Sequence, residues 1–205
     1  TQAHKSGYGD AFCAQFKPEV TCVNGGRGGR STKSYRADGI WDKDIMSELQ
    51  KPNAPDGTPY AKTYVLMQFG HNDGGPLDDT ARARGSIRGI GNESKEIYNP
   101  IMKKQETVYT YGYYMRKYIS DTKAKGAIPI VCSPIPRNMW KDGKVVRSKD
   151  SYAGWAEQVA KEEGAFFIDL NDLIATKYEA LGQVQVKAFF PGDHKCIFGD
   201  RHSVH

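Results

Sequence analysis

Hydrophobic runs along the chain predict several strands. Two of the runs end directly before a glycine or a serine, another begins after Gly164, and the run at residues 63–69 is apolar almost without interruption. That pattern is typical of a strand buried on both faces of a parallel sheet. The predicted strands are residues 20–24, 63–69, 127–132 and 165–169.

Helical periodicity fills the intervals between these strands. Apolar residues at spacings of three and four predict a long helix at residues 105–125, and similar patterns predict helices at residues 152–163 and 171–181. Asn171 is the predicted N-cap of the last helix. Alternating strands and helices indicate an α/β protein with a doubly wound, flavodoxin-like three-layer α/β/α fold around a parallel sheet.

The beginning of the pattern and its longest gap both depart from a regular alternation. Residues 9–16 look helical, whereas a doubly wound fold normally opens with a strand, so we expect the sheet to lack its first strand. Residues 74–100 are rich in Gly, Asp, Arg and Asn and predict a long exposed loop, a kind of segment that often carries function. Without a repeat or linker, residues 1–205 are predicted to form one domain.

Composition narrows the class of protein. The chain has 205 residues, 39% of them hydrophobic, and 29 basic against 24 acidic side chains give a net charge of +5. Acids and bases are interleaved, which excludes a nucleic-acid arm and a polybasic membrane anchor. No run of about 18 apolar residues occurs, so a transmembrane helix is not expected. Residues 1–5 show no signal-peptide pattern, so either the protein is intracellular or its leader is not part of this sequence.

The four cysteines indicate neither a zinc ribbon nor a dense disulfide framework. They are scattered without a CxxC pair, and three of them lie in apolar contexts that suit buried thiols. The cysteines are Cys13, Cys22, Cys132 and Cys196.

Polar residues that follow the strands are the candidates for chemistry, because ligands of an open parallel sheet collect at the carboxyl ends of its strands. The glycine cluster at residues 24–31 matches a phosphate-binding loop at two of four fixed positions. It also suits a flexible turn, or a loop that presents a backbone N–H to an oxyanion.

Asn72, in Gly-His-Asn-Asp, is either a turn former or a side-chain donor to an oxyanion. Asp193 and His194 supply an acid and an imidazole, although adjacent residues do not meet in triad geometry.

Taken together, these segments resemble the SGNH hydrolases, and most closely the rhamnogalacturonan acetylesterases. The resemblance rests on Gly-Gly-Arg-Ser at residues 28–31, Gly-His-Asn-Asp at residues 70–73 and Phe-Pro-x-Asp-His at residues 190–194. It implies a secreted or periplasmic carbohydrate esterase that removes O-acetyl groups from pectin by a serine-histidine-aspartate mechanism. It further implies no metal or organic cofactor, no nucleic-acid or membrane partner, and a monomer that binds acetylated polysaccharide.

The same resemblance assigns roles to individual residues. The oxyanion-hole positions of the family fall on Gly29 and Asn72, and its catalytic aspartate falls on Asp193. His194 matches the family histidine that directly follows this aspartate, while the position of the family's catalytic base is occupied by Cys196. Four further side chains are either contacts to substrate carboxylates or ordinary solvated or turn residues. They are Arg30, His71, Arg84 and Arg88.

Two differences from the family concern both ends of the sequence. The family's nucleophile is the serine of a Gly-Asp-Ser motif that ends its first strand, and no such motif occurs in the 205 residues. Ser6 follows no strand and is a poor substitute. From Lys195 onward the resemblance stops, so the last helix of the family is also unaccounted for. We therefore expect an esterase scaffold with half of the oxyanion hole and no nucleophile; a carbohydrate-binding pseudoenzyme and an acetylxylan or small-ester esterase are the alternatives.

Overall fold

A three-stranded parallel sheet lies at the centre of the protein. The computed structural model describes residues 7–190. Its strands are β1 (Tyr64–Gln68), β2 (Ser94–Asn99), β3 (Lys104–Tyr109), β4 (Ile128–Cys132), β5 (Trp140–Lys141), β6 (Lys144–Val145) and β7 (Phe166–Ile168). Its α-helices are α1 (Gly9–Cys13), α2 (Thr32–Ala37), α3 (Tyr111–Ala124), α4 (Tyr152–Glu162), α5 (Leu170–Leu181) and α6 (Gln183–Lys187). A π-helical stretch, Trp41–Met46, and a 3₁₀ turn, Glu48–Gln50, follow α2.

The sheet has the order β1-β4-β7, and all three strands run parallel. Three of the four predicted strands are thereby confirmed. The predicted helices at residues 152–163 and 171–181 correspond to α4 and α5. Because parallel strands align their carboxyl ends, the loops after β1, β4 and β7 meet at one edge of the sheet.

The buried face of the sheet packs against α3 and α4. In β1 the side chains alternate: Val65 and Met67 belong to the core, whereas Tyr64 and Leu66 are 49% and 44% exposed. The prediction that this strand is buried on both faces is therefore wrong for the part of the chain described. The apolar run did not show this alternation because all four side chains are hydrophobic.

The predicted strand at residues 20–24 is absent. These residues pair with no strand among residues 7–190, and Val20 and Val23 are about half exposed. A disulfide between Cys13 and Cys22 holds the segment instead, with the two Cα atoms 5.5 Å apart. The expectation of three buried thiols is thus wrong, because Cys13 and Cys22 form this disulfide; Cys132 is buried and is the one free cysteine within residues 7–190.

An antiparallel hairpin replaces part of the predicted loop and part of the predicted helix. Strand β2 falls in residues 74–100, and β3 occupies the first residues of the stretch 105–125. The helix α3 begins only at Tyr111, where the Thr110 side chain caps it by accepting a hydrogen bond from the Tyr113 N–H at 3.0 Å. Pairing between two strands that a four-residue turn separates decides this structure, and helical spacing alone cannot detect it.

The start of α5 joins two strand-end loops. Asp169, and not the predicted Asn171, caps the helix, because its carboxylate accepts from the Asp172 N–H at 3.1 Å. Asn171 is buried and donates from Nδ2 to the Pro134 carbonyl at 2.8 Å. Asn171 therefore ties the loop after β7 to the loop after β4. Within residues 7–190 the helices are too short or too polar to cross a bilayer.

Candidate active site

A cavity of about 520 Å³ opens at the carboxyl edge of the parallel sheet. The loop after β1 contributes Gly70 and His71, the loop after β4 contributes residues 134–137, and Asn171 follows β7. Arg84 and Tyr152 also line the cavity. The cavity lies where the carboxyl ends of the three parallel strands meet, as the topology of the sheet requires.

Beside the cavity, the loop of residues 29–32 contacts the Asn72 side chain. Gly29 has φ of +72°, a left-handed conformation that strains any residue with a Cβ. Its carbonyl accepts from Arg84 Nη1 at 3.3 Å, and the next carbonyl, of Arg30, accepts from Asn72 Nδ2 at 3.1 Å. The Gly29 N–H donates to no residue among those described. The structure thus brings together Gly29 and Asn72, the two proposed oxyanion donors.

The amide of Asn72 keeps capacity for a ligand. Its Nδ2 carries two hydrogens, of which one is used on the Arg30 carbonyl. Its Oδ1 is buried and accepts no hydrogen bond within residues 7–190. A buried amide with unused donor and acceptor capacity suits a site that completes its hydrogen bonds only when a substrate arrives.

Asp73 lies behind these donors in a fully buried position. Its carboxylate accepts from the Thr32 N–H at 3.1 Å, from the Thr32 hydroxyl, and from the Ser86 hydroxyl at 2.9 Å. Burial raises the pKa of this carboxyl to about 6, against the opposing effect of these hydrogen bonds. Three donors from two separate segments therefore converge on the residue that follows Asn72.

The segment 84–86 fastens the same loops together. The Ser31 hydroxyl donates to the Arg84 carbonyl at 2.5 Å, and the Ser86 N–H donates to the Asp73 carbonyl at 3.0 Å. Ser31 also forms a capping box with Ser34, so the N-terminus of α2 begins directly after the 29–32 loop.

The proposed substrate contacts have different surroundings. His71 lines the cavity, with its Nε2 2.9 Å from the Ile135 carbonyl oxygen, and the buried Arg84 lines it as well. Arg30 does not line the cavity, and its Nε lies 2.8 Å from Asp38 Oδ2. Arg88 stacks over the Trp155 ring at 5.8 Å. His71 and Arg84 are thus placed to meet a ligand in this cavity.

The remaining predicted site residues, Asp193, His194 and Cys196, lie outside the described residues. Within residues 7–190, no three His, Cys, Asp or Glu side chains gather closely enough to hold a metal ion.

Sequence reasoning missed the network around Asp73. Thr32 and Ser86 are 41 and 13 residues away from Asp73 along the chain. An acid directly after Asn72, between glycines and after a buried strand, was the available signal. Its partners could not be named because they come from distant loops.

Replacing Tyr152 by phenylalanine is expected to leave the free energy of unfolding unchanged or to raise it by up to about 1 kcal/mol. The Tyr152 hydroxyl is buried with no hydrogen-bond partner within residues 7–190. Burial first, then the charge of Asp73, raises its pKa to about 12, so it is neutral at ordinary pH. Urea denaturation followed by circular dichroism measures the change.

Tyr118→Phe is the matched control for this substitution. The Tyr118 hydroxyl donates to the Thr32 carbonyl at 2.6 Å, so its removal is expected to cost about 1–2 kcal/mol. Equal losses in the two variants would show that the Tyr152 hydroxyl has a partner in solution.

Comparisons with known proteins agree on one family. The family model described as "GDSL-like Lipase/Acylhydrolase family" matches residues 2–186. A rhamnogalacturonan acetylesterase of Emericella nidulans is 33% identical over 199 residues, which are 97% of this chain and 74% of that protein. A probable rhamnogalacturonan acetylesterase of Bacillus subtilis is 23% identical over 91% of this chain and 71% of that protein.

Among solved structures, the Bacillus subtilis protein YxiM superposes with a TM-score of 0.62 at 21% identity. The superposition covers 90% of this chain but less than half, 42%, of that chain. Together with the parallel sheet, this likeness confirms the predicted α/β/α fold class.

Proposed function

The chain belongs to the GDSL-like lipase/acylhydrolase family of ester hydrolases, and we propose that it carries the scaffold of a carbohydrate esterase that removes O-acetyl groups from rhamnogalacturonan. One observation carries the proposal: the Gly29 loop and the Asn72 amide are hydrogen-bonded to each other at the carboxyl edge of the sheet. An ester hydrolase needs two or more fixed donors where the carbonyl oxygen becomes an anion. The relative from Emericella nidulans supports the choice of acyl group and polysaccharide.

In the proposed mechanism a serine attacks the acetyl carbonyl, a histidine accepts its proton, and an aspartate orients the imidazole. The Gly29 N–H and the second Nδ2 hydrogen of Asn72 stabilise the tetrahedral oxyanion, each by about 3 kcal/mol. Water then attacks the acyl-enzyme and releases acetate. Asp193 is the proposed orienting acid, and His194 is the histidine nearest in sequence to the base position that Cys196 occupies.

We further propose that residues 1–205 by themselves lack the nucleophile, since they contain no Gly-Asp-Ser motif. Sequencing the gene on both sides of the codons for Thr1 and Lys195 tests this point. A Gly-Asp-Ser motif encoded directly before Thr1 supports the serine mechanism, and its absence there favours the pseudoenzyme.

One feature supports an anionic substrate, and another supports a location outside the cytosol. His71 and Arg84 line the cavity, and a guanidinium is well suited to bind the carboxylates of galacturonate. The Cys13–Cys22 disulfide is typical of proteins that fold in an oxidising compartment. Secretion, a monomeric state and a single domain over residues 1–205 stay predictions.

The 205-residue chain is expected to bind acetylated rhamnogalacturonan oligosaccharides but to release no acetate above the buffer rate. Calorimetry measures binding, and p-nitrophenyl acetate together with the oligosaccharides measures release. A de-acetylated oligosaccharide is the matched ligand control, and we expect it to bind more weakly because it lacks the acetyl carbonyl.

Turnover blocked by a serine-directed inhibitor would contradict the missing nucleophile while supporting the esterase. Absence of oligosaccharide binding, combined with thermal stabilisation by a nucleotide, would instead support a phosphate-binding role for the glycine cluster and contradict the proposed function.

A further inference from the structure

We propose that Asp73 is a positioning residue that sets the two oxyanion donors, the Gly29 N–H and the Asn72 amide, relative to each other. This role rests on the proposed function, because it concerns donors of the same site. Asp73 itself touches no reacting atom in the proposed mechanism and acts through the two donors.

The first step of the argument is connectivity. Asp73 is covalently next to Asn72, which carries one donor, and it is hydrogen-bonded to Thr32, three residues after Gly29, which carries the other donor. Arg30 makes the reciprocal link, since it directly follows Gly29 and its carbonyl accepts from Asn72 Nδ2 at 3.1 Å. A shift of the Asp73 carboxylate therefore changes the spacing of both donors.

The second step is the electrostatics of the contact. The Thr32 N–H, which donates to Asp73 Oδ1 at 3.1 Å, belongs to the first residue of α2. The Thr32 hydroxyl and the Ser86 hydroxyl donate to the same carboxylate oxygen, Oδ1. Ionised, Asp73 is an acceptor for all of these donors; protonated, it loses acceptor capacity and gains a proton to donate.

The third step concerns the other groups that face Asp73. Tyr111 and Tyr118 approach Asp73 from α3, and Tyr152 approaches it from α4. Burial raises the pKa of each hydroxyl, and the negative charge of Asp73 raises it further. The positive charge of Arg36 lowers the pKa of Tyr118, and that of Arg88 lowers the pKa of Tyr152. All three tyrosines stay neutral at ordinary pH. Among Asp73 and these three tyrosines, Asp73 is therefore the group whose pKa, about 6, lies near neutrality.

The pH dependence follows from the direction of the shift. Burial raises the pKa of Asp73 in the folded chain, so the carboxylate is ionised and holds Thr32 and Ser86 above about pH 6. Below that pH it is protonated and this hold weakens. Both oxyanion donors are expected to change their environment across the same interval.

Nuclear magnetic resonance of the ¹⁵N-labelled 205-residue chain tests the proposal without any substrate. The backbone amides of Gly29 and Thr32 and the side-chain amide of Asn72 are followed from pH 4.5 to 8. We expect all three resonances to move with one shared midpoint close to pH 6. In Asp73→Asn, which keeps an Oδ1 acceptor, the shared midpoint is expected to disappear while the spectrum stays dispersed.

Two further variants complete the test. Asp56→Asn removes an exposed carboxylate that also accepts a backbone N–H, from Thr58 at 2.9 Å, and is expected to leave the shared midpoint unchanged. Thr32→Val keeps the Asp73 carboxyl but removes one donor to its charged form, so we expect the midpoint to rise. This variant reads out the contact even if Asp73→Asn does not fold.

Three results would overturn the proposal. In the first, Thr32 titrates while Gly29 and Asn72 do not move. In the second, the midpoint persists in Asp73→Asn, which would assign it to the neighbouring His71. In the third, Thr32→Val leaves the midpoint unchanged. None of these results bears on acetate release, so the proposed function fails or stands separately.

Discussion

Replacing Gly85 by alanine is expected to lower the free energy of unfolding by about 3 kcal/mol, through overpacking and the loss of a hydrogen bond. A Cβ at this position would lie 1.9 Å from the Gly75 carbonyl oxygen and 2.8 Å from that of Pro76. These are backbone atoms and cannot rotate away. The Gly85 N–H also donates to the Pro76 carbonyl at 3.0 Å, a bond that a separation of the two segments would break.

The same substitution is expected to disturb the candidate site. Arg84 and Ser86, on either side of Gly85, contact Ser31 and Asp73. Urea denaturation measures the stability, and the Asn72 side-chain amide resonance reports the site.

Gly74→Ala provides the matched control for Gly85→Ala. Its Cβ would meet the Tyr152 hydroxyl at 3.5 Å, an ordinary van der Waals distance, so we expect a loss below about 1 kcal/mol. If both variants lost the same stability, the close approach at Gly85 would not exist in solution.

Replacing Lys33 by methionine is expected to cost about 3–5 kcal/mol of unfolding free energy. The Lys33 side chain is 2% exposed, and its Nζ lies 3.0 Å from Oε2 of Glu106, whose side chain is 13% exposed. Removing the ammonium leaves a largely buried carboxylate with Asn99 Nδ2 as its remaining partner, at 2.7 Å. Lys33 lies on α2 and Glu106 on β3, so the substitution also removes an ion pair between the hairpin and the helix that follows the 29–32 loop.

The double variant Lys33→Met with Glu106→Gln separates charge from packing. It removes the unpaired carboxylate and keeps an acceptor for Asn99, so most of the lost stability is expected to return in urea denaturation. Lys51→Met, which removes an exposed pair with Glu48, is expected to cost less than about 0.5 kcal/mol. A double variant as unstable as the single one would assign the effect to packing.

The sequence was most informative where one short segment is sufficient to specify a structure. The run at residues 63–69 predicted β1, and the spacing of apolar residues predicted α4 and α5. The glycine cluster and Gly-His-Asn-Asp were candidate segments because both follow predicted strands, and the family resemblance then assigned the oxyanion roles to Gly29 and Asn72. The structure hydrogen-bonds Asn72 to the carbonyl of Arg30, the residue directly after Gly29.

The failures share a physical cause, which is contact between two segments that the pattern within either segment does not reveal. Strand β2 exists because it pairs with β3, and this pairing overrides the helical spacing of the same residues. The disulfide of Cys13 and Cys22 depends on a turn that brings their Cα atoms within reach, and spacing alone did not reveal it.

By itself, the sequence determined the alternation of strands and helices, the parallel sheet and the family resemblance, since these follow from local hydrophobic patterns and short motifs. Only the tertiary structure decided which side chains surround the site. Burial of Asp73 and its contacts to Thr32 and Ser86 arise when three separate loops close on one another. Hydrogen bonds and desolvation act over a few ångströms of space, whereas the sequence orders residues only along the chain.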